Sequence, residues 1–81
     1  MKQKLSDLLP GEEAIIRGIN CGSELGTRLA AMGLVGGNKV LMRRYAPFGG
    51  PCEVYIGYDL ILRKSEADYI LVDKIENKEI K

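Results

Sequence analysis

The sequence predicts a small, mainly β domain: a partly open barrel of five short strands, with one α-helix between the first two and a short helical turn before the last. Three observations point there. Short apolar runs with strand-like alternation are separated by Pro10-Gly11, Gly36-Gly37, Gly49-Gly50-Pro51 and Gly57, which are turn signals. Only one internal stretch, Ser23–Gly37, carries a convincing 3.6-residue apolar period. The chain has 81 residues, enough for a single domain with a modest core.

Taken in order, residues 1–4 read as a frayed start. Leu5–Leu9 spells one helical turn with Leu5, Leu8 and Leu9 pointing the same way, ended by Pro10-Gly11. Ala14–Ile19 is the first strand, with Ile15 and Ile19 on one face, Ala14 and Ile16 on the other, and Gly18 at a bend. In the helix, Leu25, Leu29 and Met32 form one stripe; Ser23 stands at the N-cap position, and Glu24 and Arg28 are spaced for a surface pair. Gly33 falls where a left-handed residue closes a helix, and Leu34 folds back on the last turn.

Lys39–Tyr45 is the second strand, with Val40 and Met42 inward and Arg43 and Arg44 on opposite faces by alternation. Ala46–Pro51 is a loop on composition, and Cys52–Ile56 the third strand, with Cys52, Val54 and Ile56 on one face. Gly57-Tyr58 fits a tight hairpin into the fourth strand, Asp59–Arg63. Ser65 reads as the cap of a single helical turn with Asp68 as its reciprocal acid, and Ile70–Val72 is the fifth strand. The domain is expected to be ordered over about residues 5–74, with the charged tail from Glu76 to Lys81 disordered.

Composition narrows function. A net charge of +1, from 12 basic and 11 acidic residues, lacks the basic excess of a nucleic-acid or acidic-membrane binder. There is no histidine, so the commonest general base is missing, and Ser6, Ser23 and Ser65 are accounted for as helix-start residues. No nucleophile lies at a recognisable spacing from a base, and no glycine pair is followed by the Lys-Ser/Thr of a phosphate loop, so the chain is read as a non-enzyme. There is no signal-peptide core and no run approaching the roughly 20 apolar residues of a membrane helix, which predicts a cytoplasmic protein without direct membrane insertion. Cys21 and Cys52 lack metal-motif or redox-motif spacing.

In this order, Glu24-Leu25, Arg28-Leu29, Met32-Gly33-Leu34, Gly37, Val40, Met42, Arg44, Ala46-Pro47 and Gly49-Gly50-Pro51 resemble the signature of the ferrous-iron transport protein A (FeoA) family. The likeness continues through Gly57-Tyr58, Leu60, Leu62-Arg63, Glu66-Ala67 and Ile70-Leu71-Val72 and includes the Leu5-Ser6-Asp7-Leu8 opening and Pro10-Gly11-Glu12, so it spans about residues 5–73. The resemblance implies an SH3-like barrel in its stand-alone form. It also implies a small cytoplasmic accessory protein of bacterial ferrous-iron uptake that works with the membrane transporter FeoB, a partner able to hold it at the inner face of the membrane. Gly26-Thr27 and Gly36 depart from the family pattern.

Two mechanisms fit. In the first, the barrel docks on a cytoplasmic part of the FeoB-type transporter through the outward helix face, Glu24, Thr27, Arg28 and Ala31, and through Tyr45 and Phe48 of the Tyr45–Pro51 segment. Self-association is compatible with it. In the second, the domain is a sensor that binds a transition metal ion, iron, directly; Cys21, beside the helix start, is the one candidate ligand. Cys52, alternating with Val54 and Ile56, reads as a buried apolar residue. Arg43, Arg44, Arg63 and Lys64 read as solvated strand edges or as a face for an acidic partner. Phe48 either covers the barrel end or anchors a partner.

Overall fold

Alternation along Glu13–Ile19 sends Ala14 and Ile16 into the interior and leaves Ile15 and Ile19 half-buried, and the rest of the sheet is laid down on both edges of this strand. The computed structural model describes residues 3–20 and 22–76. In chain order the elements are β1 (Gln3–Lys4), a 3₁₀ turn (Leu5–Asp7), β2 (Glu13–Ile19), α1 (Ser23–Ala31), β3 (Lys39–Tyr45), β4 (Cys52–Tyr55), β5 (Asp59–Leu62), α2 (Lys64–Ala67) and β6 (Ile70–Lys74). The strands form one six-stranded antiparallel sheet in the order β1-β6-β2-β3-β4-β5.

The sheet therefore has six strands where the sequence predicts five. The extra strand is β1, formed by residues read as a frayed start: Gln3 pairs with Val72 and Lys4 with Leu71. Two residues carry no legible alternation, and what holds them is an edge supplied from the far end of the chain. Behind β1, the Lys4 N–H donates to Asp7 Oδ2 at 3.1 Å and the 3₁₀ turn sends Leu5 and Leu8 into the core. Leu9 does not join them; it is 63% exposed, because the chain leaves the turn in an extended conformation at Leu8.

The core is a single cluster to which the 3₁₀ turn, β2 to β6 and both helices contribute, with Leu5, Ile16, Leu29, Met42, Val54 and Ile70 among its fully buried members. Each such side chain contributes on the order of 1.5–3 kcal/mol by leaving water. Cys52 is buried here as expected, and burial pushes its thiol pKa up. Among the described residues no polar or charged residue is buried.

Two β-bulges shape the sheet. In β2 the register against β6 shifts between Ile16 and Gly18, which is the bend read at Gly18. In β3 the register against β4 shifts between Met42 and Arg44, so alternation breaks and Arg43 and Arg44 are both exposed instead of facing opposite ways.

The helix ends also settle differently from the sequence reading. The N-cap of α1 is Gly22, one residue before Ser23, and Arg28 pairs with Glu66 of α2 at 3.4 Å instead of with Glu24. The N-cap of α2 is Arg63: Glu66 Oε1 accepts its backbone N–H at 2.9 Å, so the reciprocal acid is Glu66 and not Asp68, and Ser65 lies inside the turn. Ser6 is likewise not a cap; it lies inside the 3₁₀ turn and its hydroxyl donates to Asp68 Oδ1, joining that turn to α2. The predicted C-terminal tail lies outside the described residues from 77 onward, as does Cys21.

Candidate docking surface

The β3–β4 connection is the most sharply built feature of the surface. Ala46 N–H donates to Pro51 O at 2.8 Å, and Gly50 N–H to Pro47 O at 3.2 Å. Phe48 and Gly49, the two central residues of that inner turn, have φ of 61° and 71°. Two positive φ values define the mirror-image turn that suits a β-hairpin and favours Asn-Gly. Gly50 is required beside it, since a Cβ there would lie 2.9 Å from Ala46 Cβ and 3.2 Å from Pro47 O. The chain thus holds a phenylalanine in the left-handed region at the tip of a clamped turn, with its ring fully exposed. Phe48 does not cover the barrel end.

Next to this turn is an open hollow of about 460 Å³ lined by Gly49, Gly50 and Pro51 and by Arg63, Lys64 and Ser65 at the start of α2. On the far side of α2, Glu66 holds Arg28 of α1. α2 thus borders the hollow beside the turn through Arg63, Lys64 and Ser65 and meets α1 through Glu66. Glu24, Thr27, Arg28 and Ala31 are all exposed on α1, as the stripe of Leu25, Leu29 and Met32 requires. α2 touches both the hollow beside the Phe48 turn and Arg28 of α1, a link not visible in the sequence.

Tyr45 is placed differently. It is half-buried, and its hydroxyl donates to the backbone carbonyl of Leu8, with Ser6 O also within 3.0 Å. Burial, then the neighbouring Cys52, Asp7 and Glu12, push its pKa up to about 12. The phenol is thereby committed to holding the N-terminal turn on the sheet. Only a long-range contact could reveal this.

A larger open hollow of about 720 Å³ is lined by Leu41, Arg43, Tyr55 and Ile56 together with Glu13 and Lys39. Its charges are internally matched: Lys39 lies 3.7 Å from Glu13, and Arg43 is 2.9 Å from Asp59 with its guanidinium 4.9 Å from the Tyr55 ring centroid. Among the described residues no group of three His, Cys, Asp or Glu side chains gathers to hold a metal ion, and no helix is long and apolar enough to cross a membrane.

Comparison with known proteins shows what the chain is similar to. The family model for the FeoA domain matches residues 3–74. The FeoA-like protein of Clostridium acetobutylicum superposes with a TM-score of 0.87 at 30% identity, covering 99% of this chain and 94% of that one. The FeoA protein of Chlorobium tepidum gives 0.85 at 36%, covering 95% and 74%. The FeoA of Stenotrophomonas maltophilia, a procaryotic SH3 domain protein solved in complex with zinc, gives 0.77 at 30%, covering 88% and 89%. No curated protein matches the sequence. The six-stranded sheet described above is thus of the SH3-like class, as the resemblance implied.

Proposed function

Because the chain belongs to the FeoA family, whose domain spans residues 3–74, we propose that it is an accessory protein of ferrous-iron uptake that acts by docking on the cytoplasmic part of a FeoB-type transporter. The observation that carries the proposal is Phe48, a fully exposed aromatic ring on a left-handed backbone. A conformation of that kind costs on the order of 1–3 kcal/mol, is held here by the hydrogen-bonded turn, and is concentrated in proteins at functional sites. Aromatic side chains with few rotatable bonds are the usual anchors of interfaces. The exposed face of α1, carrying Glu24, Thr27, Arg28 and Ala31, adds to the contact.

Docking changes transport only if the domain prefers one transporter state over another, so the regulator works by biasing that equilibrium and performs no chemistry itself. The test is an NMR titration of the full chain with the transporter's cytoplasmic part. Shifts are expected in residues 46–51 and along α1; absence of binding at high micromolar concentration overturns the reading. Phe48→Ala is expected to lower affinity by about tenfold or more without loss of fold.

Direct metal binding is the second reading, favoured by the zinc complex of the Stenotrophomonas maltophilia relative. The described residues supply no cluster for an ion, which leaves Cys21, outside them, as the ligand to test. Iron or zinc titration under reducing conditions decides it: the Cys21→Ser variant should bind at least tenfold more weakly if the thiolate is a ligand. Equal affinity in both removes Cys21.

A further inference from the structure

We propose that the hollow beside the Phe48 turn receives an acidic segment of the protein partner, with carboxylates on Arg63 and Lys64 and an apolar side chain against Phe48 and Pro51. The proposal rests on the docking reading above and adds the chemistry of what docks.

Most other cations of the molecule are held by acids. Arg17 holds Asp73 at 2.5 Å, Arg28 holds Glu66 at 3.4 Å, Arg43 holds Asp59 at 2.9 Å and Arg44 holds Glu53 at 2.8 Å. Lys39 and Lys74 are matched in the same way, to Glu13 and Glu12. Among the described residues, Lys4, Arg63 and Lys64 make no ion pair, and of these only Arg63 and Lys64 are adjacent.

The acids nearest to them along the chain are already engaged. Glu66 accepts the Arg63 backbone N–H and pairs with Arg28; Asp68, one turn beyond Lys64, accepts the Ser6 hydroxyl. No carboxylate lines the hollow, whose other walls are Gly49, Gly50, Pro51 and Ser65. Two positive charges without an ion-pair partner therefore border a small depression whose other walls are Gly49, Gly50, Pro51 and Ser65, and Phe48, fully exposed, directly precedes the first of these. Charge complementarity calls for carboxylates, and the ring and proline call for an apolar side chain between them.

A phosphate polymer fits less well, since the net charge of +1 leaves no extended basic track. An anionic membrane is recognised by clusters of roughly four to eight basic residues, where this patch has a doublet.

The experiment is calorimetric titration of the full chain into the transporter's cytoplasmic part at low and at high salt. Neutralising the doublet (Arg63→Gln with Lys64→Gln) should weaken binding about threefold to thirtyfold at low salt, the sum expected of two partly exposed ion pairs. The difference should shrink at high salt. Charge reversal at both positions should lose more. A control that removes the same charge elsewhere, Arg43→Gln with Arg44→Gln, should keep its affinity, and thermal melts confirm that each variant is folded.

Unchanged affinity of the neutralised doublet overturns this proposal and leaves docking standing. Equal losses in both doubles also overturn it, because net charge alone would then explain them. Vesicles containing phosphatidylserine that bind the unaltered chain as tightly as the transporter domain, and release it on neutralising the doublet, assign the patch to a membrane and overturn it. No binding of the unaltered chain to the transporter domain refutes the docking reading itself.

Discussion

Phe48 combines a φ of 61° with a fully exposed ring, so its side chain buries nothing in the folded state and its backbone takes a conformation costly for any residue with a Cβ. An L-residue in the left-handed region costs about 1–2 kcal/mol, and asparagine or glycine occupies it with less strain. Phe48→Asn and Phe48→Gly are therefore expected to raise unfolding free energy by about 1 kcal/mol while weakening the partner complex. Phe48→Ala, which keeps the Cβ and hence the strain, should weaken the complex with little gain in stability. Urea unfolding alongside binding separates the two effects, and stabilisation equal in all three variants would show that the backbone is not strained. Tyr45 is the opposite case, a tyrosine whose polar tip serves the fold. Tyr45→Phe leaves the Leu8 and Ser6 carbonyls without this donor and should cost about 1–2 kcal/mol in urea unfolding. Its pKa is raised from 10.0 to about 12, so the folded state favours the neutral phenol. The corresponding stability is complete below pH 10 and is lost as pH rises toward 12. An absorbance titration should show one phenol ionising only toward pH 12 or together with alkaline unfolding, and Tyr45→Phe should remove that step.

The end of α1 shows how an element is stopped and then used. Gly33 N–H donates to Ala30 O at 2.9 Å and Leu34 N–H to Leu29 O at 3.2 Å, the paired bonds of a Schellman closure, and Leu34 and Leu29 are both buried. The β4–β5 hairpin fastens this closure from outside. The Tyr58 hydroxyl donates to Met32 O, and Ile56 Cδ1 lies 3.3 Å from where a Cβ on Gly33 would stand. Asn38 Nδ2 adds a bond to Gly33 O at 2.7 Å. Gly33 has φ of 97° and Gly37 has φ of 95°, but nothing lies within 4 Å of a Cβ at Gly37. Both alanine substitutions should thus carry the left-handed penalty of about 1–2 kcal/mol, and Gly33→Ala should cost more because Ile56 must shift. Thermal unfolding of the two variants compares them directly; equal losses would mean that the hairpin yields freely to the helix end. The Gly-Leu ending is legible in the sequence because its pattern is local. The clasp by Ile56 and Tyr58 is not, because it joins residues more than twenty positions apart.

At the scale of the whole molecule, the legible part of the fold was what alternation and turn chemistry specify. Val40, Met42, Cys52 and Val54 face inward as their spacing requires, and the Pro/Gly-rich segment after Tyr45 is a turn. What alternation could not give was β1, whose two residues depend on an edge some seventy positions away, and the bulge that turns Arg43 and Arg44 to the same solvent. The candidate site was half legible for the same reason: the exposed face of α1 follows from its apolar stripe, whereas the side chain of Tyr45 and the role of α2 depend on tertiary contacts. Polar links of this long-range kind also set the response to acid. The Ser6 hydroxyl ties the 3₁₀ turn to Asp68 beyond α2, and Lys74 of β6 ties the sheet to Glu12 at 2.7 Å. The Ser6 bond, chiefly, holds Asp68 below its usual 3.8, and the Lys74 hydrogen bond, chiefly, holds Glu12 below its usual 4.5. A depressed carboxylate stabilises the folded state above its unfolded pKa and stops doing so as pH falls through the lower folded value. The urea midpoint should therefore hold steady from neutral pH to about pH 5 and decline below about pH 4. Ser6→Ala frees Asp68 to titrate near its ordinary value. That variant should be less stable at pH 7 and should decline less steeply between pH 4 and pH 2 than the unaltered chain. Parallel declines in the two proteins would show that the Ser6–Asp68 link contributes nothing to acid sensitivity, and would leave Glu12 and Lys74 as its source.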